Sequence, residues 1–297
     1  MGKFTNLDVQ PHGDDLETLR RDLDGYKGAY EHVAPRYNYL RSVAAPVIRE
    51  EVEPEKLSKP SIFVVTLPKS GTVFISHSLR QTLGYDYTSV MVTPTFPKNI
   101  VWPAMAADFM RGGMVSVSHM QPDTENLNAL KRAGIVKGVV HMRDPRAALS
   151  SWLNFRVDYA RNPGPIERLS QVGVPSTESF SNLPKADRME HFIETFYRSC
   201  IDWITGWLSV IDTDRDFDIL LKTHDELIGQ EEQYVRSVLA YYGLSVDTVT
   251  LIEKSSSTHF RKGDNTSWRD DLTPAQLARV NDMLPDDLAA RFGWQKD

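Results

Sequence analysis

Cysteine is nearly absent from this sequence, because its 297 residues contain only Cys200. A single thiol cannot form an intramolecular disulfide, and it cannot supply the several thiolates of a structural zinc site. Cysteine usage of this kind is typical of proteins from a reducing compartment. We therefore expect a cytoplasmic protein in which Cys200 lies in the core.

Long apolar runs and an excess of positive charge are also missing. No stretch approaches the ~20 apolar residues that a membrane span requires. The opening residues, MGKFTNLDVQ, lack the apolar segment of a secretory leader. Lys and Arg number 34 against 40 Asp and Glu, for a net charge of −6, so the broad basic surface of a nucleic-acid-binding protein is absent. We expect neither a membrane nor a nucleic acid as partner.

Short apolar runs alternate with helix-like stretches from Ser61 onward, which predicts β and α units around a parallel sheet. Apolar residues at helical spacing predict a long helix over 187–212, and another helix is expected over 225–242. We interpret residues 60–297 as one α/β domain preceded by an N-terminal helical arm over 1–59. The predicted strands are SIFVVTL (61–67), MVSVSHM (114–120), GIVKGVVHM (134–142) and FDILLKT (217–223).

The segment SIFVVTLPKSGTVFISHS (61–78) combines a buried strand, a tight turn and the start of a helix. This arrangement directs the unpaired N–H groups of the helix N-terminus toward the space above the turn, where the helix dipole favours an anion. Lys69 adds a positive charge at the same place. The segment therefore predicts a phosphate-binding loop.

A Walker loop of a kinase or NTPase is the first alternative, but it requires glycine directly before the lysine. Here Lys69 precedes Gly71, and residues 54–70 contain no glycine. The order Lys-Ser-Gly-Thr instead resembles the 5′-phosphosulfate loop, T-Y-P-K-S-G-T-T-W, of sulfotransferases that use 3′-phosphoadenylyl sulfate (PAPS). The resemblance is to the soluble, cytosolic-type members of that family, and it implies a P-loop-like sulfotransferase fold with a central parallel sheet flanked by helices.

The loop departs from the family pattern at three positions. Leu67 stands for Tyr, Val73 for Thr, and Phe74 for Trp. Without the hydroxyl at 73, backbone N–H groups must supply part of the phosphate contact, while Phe74 keeps an aromatic face for adenine. The resemblance assigns the donor-binding residues of this loop as Lys69, Ser70, Gly71, Thr72, Val73 and Phe74.

Two further segments resemble the family's sites for the 3′-phosphate. In HMRDPRAALSSWL, Arg143 ends a strand and Ser151 follows eight residues later in a helix, and a guanidinium suits a phosphate dianion. In HFRKGDNTSWRDDLT, the residues Arg261, Lys262 and Gly263 resemble the start of the family's R-K-G motif. The stretch from Thr273 departs from the family's dimerisation motif, so no dimer contact is carried over.

His119 is the candidate catalytic base, because its setting S-H-M-Q-P at a strand end resembles the family's K-T-H-L-P. The lysine of that motif is Val117 here, so one charge partner of the transition state is either missing or provided from elsewhere. His119 would accept the acceptor's proton, while Lys69 would stabilise charge on the bridging oxygen and Ser70 would hold Lys69 away from the donor until the acceptor arrives. His224 falls where the family commonly has a tyrosine that contacts adenine.

The resemblance implies transfer of a sulfuryl group from PAPS, without a metal ion, to a hydroxyl or amine of a small-molecule acceptor. A catalytically degenerate nucleotide-binding protein is the second alternative, which Val73 and Val117 leave open. Aromatic residues predict a partly apolar acceptor pocket, or else belong to the core. They are Phe96, Trp102, Phe109, Trp152, Phe155 and Tyr159.

Overall fold

The computed structural model describes residues 59–91, 96–97, 99–161, 182–252, 266 and 268–296, with only the backbone for 157–161. Within these residues, five parallel strands form one sheet in the order β2-β3-β1-β4-β5. The predicted arm over 1–59 lies outside the described residues except for its last residue. The strands are β1 (Ile62–Thr66), β2 (Asp86–Tyr87), β3 (Met114–Ser118), β4 (Lys137–Met142) and β5 (Asp218–Thr223).

Both faces of the sheet are covered, as continuous apolar strands require. Every residue of β1 is buried. Phe63 and Val65 belong to one core cluster, and Ile62 and Val64 belong to the other. Successive side chains of a strand point to opposite faces, so this alternation places one cluster on each side of the sheet.

The helices pack on these two faces. Those that contribute to the cluster with Ile62 and Val64 are α1, α7 and α8, whereas most of the others contribute to the larger cluster that contains Phe63. The described helices are α1 (Thr72–Leu83), α2 (Pro103–Phe109), α3 (Thr124–Ala133), α4 (Pro145–Arg161), α5 (Lys185–Phe192), α6 (Arg198–Thr213), α7 (His224–Leu227), α8 (Glu231–Tyr241), α9 (Trp268–Asp271), α10 (Pro274–Met283) and α11 (Asp286–Phe292), with a π-helical turn (Ile193–Tyr197) joining α5 to α6.

The four predicted strands are confirmed as β1, β3, β4 and β5. The long helix predicted over 187–212 corresponds to α5, the π-turn and α6, which follow one another without a break. Its Cys200 is fully buried, as expected.

The continuous helix predicted over 225–242 is wrong. Thr223 and Glu226 form a capping box at the start of the short helix α7, which ends where Ile228 adopts an extended conformation. Gly229 follows with φ 76°, a left-handed conformation that an α-helix does not contain. The chain therefore starts a second helix, α8, at Glu231.

Among the helices of the described residues, none combines the length and the apolar character that crossing a bilayer requires.

Candidate active site

The predicted site residues follow the carboxyl ends of neighbouring strands. The loop after β1 lies at the centre, because β1 pairs with β3 on one side and with β4 on the other. His119 follows β3, Arg143 follows β4, and His224 follows β5. Parallel strands end at the same edge of a sheet, so this topology brings all of them to one edge, where α/β proteins bind ligands.

The phosphate loop (Leu67–Gly71) is curled by two residues with positive φ, Lys69 at 64° and Gly71 at 98°. The Ser70 hydroxyl donates to the Leu67 carbonyl at 2.6 Å and so closes the turn from inside, while a contact of its oxygen with Lys69 stays a prediction. Gly71 is the N-cap of α1 and has no side chain with which to cap it. Left-handed residues at a helix start turn successive N–H groups toward one concave surface, which binds anions.

Side chains at the end of β4 and directly after it bind the carbonyl groups of this loop. Arg143 donates from Nη1 to the Lys69 carbonyl at 2.7 Å. His141 Nε2 lies 2.8 Å from the Ser70 carbonyl. Both contacts draw carbonyl oxygens toward the protein interior, and a peptide N–H points opposite to the C=O of the same peptide plane. The N–H groups of Ser70 and Gly71 are therefore turned away from these side chains.

His119 is fixed in one tautomer by the end of β1. Its Nδ1 lies 2.8 Å from the Thr66 carbonyl and 3.2 Å from the Thr66 hydroxyl. A carbonyl only accepts, so Nδ1 carries the proton and donates it to Thr66. The other ring nitrogen, Nε2, then has the lone pair that a general base requires.

The pKa of His119 is lowered to about 4. Burial of the ring is the largest cause, and the nearby Lys69 ammonium acts in the same direction, whereas the hydrogen bond to Thr66 raises the pKa. The imidazole is therefore neutral at pH 7 and already in the form that accepts a proton.

If His119 is the general base that the resemblance implies, kcat/KM for a hydroxyl acceptor that does not titrate, measured at saturating PAPS, is expected to stay level from pH 8 to about pH 5 and then to fall as His119 is protonated. The sign follows from the base being active when neutral, and a pKa of about 4 places the loss near pH 4. A pH–rate profile over pH 3.5–9 tests this. A midpoint at ~6.5, the ordinary value for histidine, would contradict the lowered pKa.

An aromatic cluster lies against Lys69. The Lys69 ammonium is 4.1 Å from the centre of the Phe155 ring. Trp152 lies beside Phe155, with ring centres 5.7 Å apart, and stacks on Phe196 at 4.5 Å. Phe96 meets Phe196 edge-on at 5.8 Å. Phe196 is on the π-turn; its helical spacing predicted a buried position, but not its contact with Trp152.

The other aromatic candidates lie elsewhere. Phe109 is buried and packs edge-on against Phe63, so the core alternative holds for it. Trp102 is 39% exposed at the start of α2. The side chain of Tyr159 lies outside the described residues.

Three of the remaining donor-binding candidates, Thr72, Val73 and Ser151, lie at the start of α1 or on α4. The Thr72 hydroxyl is 2.8 Å from that of Thr66, and Val73 is partly exposed on the first turn of α1. Ser151 lies one helical turn before Phe155 and so shares its face of α4. Arg261, Lys262 and Gly263 lie outside the described residues.

Two of the candidates for adenine contact are buried. Phe74 is 3% exposed and belongs to the core cluster with Ile62 and Val64, which gives its ring a packing function. His224 is 5% exposed, and its ring meets that of His141 edge-on at 6.3 Å. An adenine contact by either residue stays a prediction.

The sequence did not indicate the buried residues whose side chains bind backbone carbonyls next to this site. His141 holds the phosphate loop, as described above. Trp203 and Trp207 both donate from their indole N–H to the Met120 carbonyl, at 2.7 and 3.0 Å, and thereby hold the backbone next to His119. The helical spacing of these tryptophans indicated a buried face, but nothing local indicated what they would bind.

A parallel sheet whose central strand is followed by a curled loop and a helix N-terminus is typical of α/β proteins that bind phosphorylated ligands. The family model described as "Sulfotransferase domain" matches residues 59–257, well over half of the chain. The chain therefore belongs to the sulfotransferase family, whose members transfer sulfuryl groups. No curated protein matches it significantly by sequence.

Solved structures of sulfotransferases resemble this one. That of mouse sulfotransferase SULT7A1 complexed with PAP aligns with a TM-score of 0.50 and 16% identity, over 80% of this chain and 89% of the mouse chain. That of a sulfotransferase from Alicyclobacillus acidocaldarius has a TM-score of 0.46 and 16% identity, over 80% of this chain and 97% of the other. The mouse structure shows the shared fold, so the predicted sulfotransferase fold is confirmed.

Proposed function

We propose that this sulfotransferase transfers the sulfuryl group of PAPS to a hydroxyl or amine of a small-molecule acceptor and releases adenosine 3′,5′-bisphosphate (PAP). One observation carries the proposal: Arg143 and His119 both form hydrogen bonds to the strand and loop that bear Lys69. These bonds support an arrangement in which an anion site, a second cation and a neutral base lie at one edge of the sheet. PAP in the mouse structural neighbour supports the choice of donor.

In this proposal the donor's two charged ends bind at separate places. The loop N–H groups, Lys69 and Thr72 hold the 5′-phosphosulfate, where the start of α1 favours negative charge. Arg143 and Ser151 hold the 3′-phosphate, and the resemblance adds Arg261, Lys262 and Gly263 to this second group. Because Arg143 also donates to the Lys69 carbonyl, the same guanidinium links the two places.

His119 and Lys69 carry the chemistry. The acceptor's oxygen or nitrogen forms a bond to the sulfur of PAPS, and His119 Nε2 takes the proton that this atom loses. The bond between sulfur and the bridging oxygen breaks, and the Lys69 ammonium stabilises the negative charge that develops on that oxygen. In-line placement of the reacting groups supplies much of the rate in transfers of this kind.

The aromatic cluster supports an acceptor that carries an apolar or aromatic group next to its nucleophile. Trp152 and Phe155 are only partly buried, and Phe155 contacts Lys69, so the cluster adjoins the reacting centre. Rings arranged in this way bind flat apolar groups well.

We predict that PAPS and PAP bind without added Mg²⁺, and that ATP binds far more weakly because it lacks the 3′-phosphate that Arg143 would bind. Isothermal titration calorimetry with the three nucleotides tests this, and incubation with labelled PAPS and a panel of phenols, alcohols and amines tests turnover. Preference for ATP with Mg²⁺ would indicate a kinase or NTPase. Tight binding of PAPS without transfer to any acceptor would indicate a degenerate nucleotide-binding protein.

A further inference from the structure

Both ring nitrogens of His141 are engaged within the protein interior. The residue lies on β4 and is fully buried. Nε2 is 2.8 Å from the Ser70 carbonyl, and Nδ1 is 2.8 Å from the Tyr234 hydroxyl on α8. The ring thus connects a helix on one face of the sheet to the phosphate loop, although the catalytic scheme above makes no use of it.

These contacts define how the protons are arranged. The Ser70 carbonyl only accepts, so Nε2 carries the proton, and Nδ1 accepts from the Tyr234 hydroxyl. Burial lowers the pKa of His141 to about 4, so the ring is neutral at pH 7. Tyr234 is also buried, and burial raises the pKa of its hydroxyl, so it keeps the proton that it donates.

The Ser70 carbonyl belongs to the peptide unit whose N–H comes from Gly71. In a planar trans peptide, C=O and N–H point in opposite directions. Binding of the carbonyl by a buried ring therefore turns the Gly71 N–H away from the interior, toward the concave side of the loop. Glycine is the residue least able to hold a peptide orientation by itself, since it populates positive and negative φ about equally.

We propose that His141, oriented by Tyr234, is a positioning residue that holds the Ser70–Gly71 peptide with its N–H toward the donor's 5′-phosphosulfate. The inference rests on the proposed function, because it needs a donor whose 5′ end lies in the loop. Arg143 does the same for the preceding peptide through the Lys69 carbonyl, so two consecutive N–H groups are held for one anion.

Three variants test whether His141 orients the Ser70–Gly71 peptide or only fills space in the core. His141→Leu fills a similar space without any donor. His141→Gln retains an amide N–H for the Ser70 carbonyl and an amide oxygen for the Tyr234 hydroxyl. Tyr234→Phe removes only the hydroxyl that orients the ring. Each full-length variant is first checked for an intact fold by circular dichroism and thermal unfolding.

Calorimetry then compares PAP with adenosine 3′-monophosphate, which lacks the group that the loop holds. We expect His141→Leu to weaken PAP binding roughly tenfold, which is the scale of one lost hydrogen bond, and His141→Gln to restore most of it. Tyr234→Phe is expected to weaken it by roughly threefold, a fraction of one hydrogen bond. Binding of adenosine 3′-monophosphate is expected to be unchanged in all three.

The possible results are distinct. Unchanged PAP affinity in a folded His141→Leu, or equal losses for both nucleotides, overturns the positioning function. If His141→Leu does not fold, Tyr234→Phe decides, and unchanged PAP affinity there overturns it as well. Failure of the wild-type protein to bind PAP at all refutes the proposed function, and the positioning function with it.

Discussion

Replacement of His119 by alanine is expected to lower kcat by roughly 10²–10⁴-fold, the usual cost of losing a general base, with PAP affinity close to that of the wild type. The reason is that Nδ1 is occupied by Thr66, so only Nε2 can take part in the reaction. Loss of Nε2 removes the proton acceptor and leaves Lys69, Arg143 and the loop in place. Single-turnover kinetics with saturating PAPS measure the change in the chemical step.

A second replacement tests whether His119 acts by chemistry or by position. In His119→Asn, the side-chain amide N–H can still donate to the Thr66 carbonyl, but no basic nitrogen remains. If His119 is the base, the asparagine variant is as slow as the alanine variant. Recovery of near wild-type turnover by asparagine would show that the residue only holds the end of β1. His77→Ala serves as the matched control, because His77 is exposed on α1.

The fold and much of the site were predictable because their signals are local. Four apolar runs identified four strands, and the strand–turn–helix order around Lys69 identified the loop without reference to any other part of the chain. The family resemblance then assigned His119 and Arg143, and the parallel pairing of β1 with β3 and β4 explains why both contact the end of β1 and its loop. Strand β2 was missed because two residues, Asp86 and Tyr87, are too short to show a period.

The residues that position the site were not predictable, because their partners are distant in the sequence. In the sequence His141 is one histidine of a strand, and its contact with Tyr234, 93 residues away, is seen only in the structure. Phe196 is part of a helical pattern, yet the π-turn adds a residue to that turn of the helix and changes which neighbours its ring meets. Both sets of neighbours are set by tertiary contacts, which cannot be inferred from composition or from the spacing of residues.

Arg146 is a further example, and its replacement is expected to cause the largest loss of stability. The guanidinium is 1% exposed. It pairs with Asp144 in a bidentate contact (Nε–Oδ1 3.0 Å, Nη2–Oδ2 2.7 Å) and donates to Asn281 Oδ1 at 2.7 Å. It also stacks on the Trp268 ring at 4.3 Å. These contacts connect the start of α4 to the C-terminal helices.

For Arg146→Leu we expect the free energy of unfolding to fall by about 3–5 kcal/mol, the cost of leaving one member of a buried ion pair without its partner. Leucine restores apolar contact with Trp268, but the Asp144 carboxylate, whose side chain is 9% exposed in the wild type, loses its counter-charge. Guanidinium chloride unfolding at pH 7, followed by tryptophan fluorescence, measures the change from the shift in midpoint.

Two controls separate the buried charge from other effects of the substitution. Arg291→Leu removes a bidentate pair with Asp212 at 2.6 and 2.9 Å, but here both side chains are more than one third exposed and screened by water, so a much smaller loss than for Arg146→Leu is expected. Adding Asp144→Asn to Arg146→Leu removes the uncompensated charge and should recover part of the stability. Equal losses for Arg146→Leu and Arg291→Leu would mean that water reaches the Asp144 carboxylate, and that α4 does not depend on this ion pair for its attachment to the C-terminal helices.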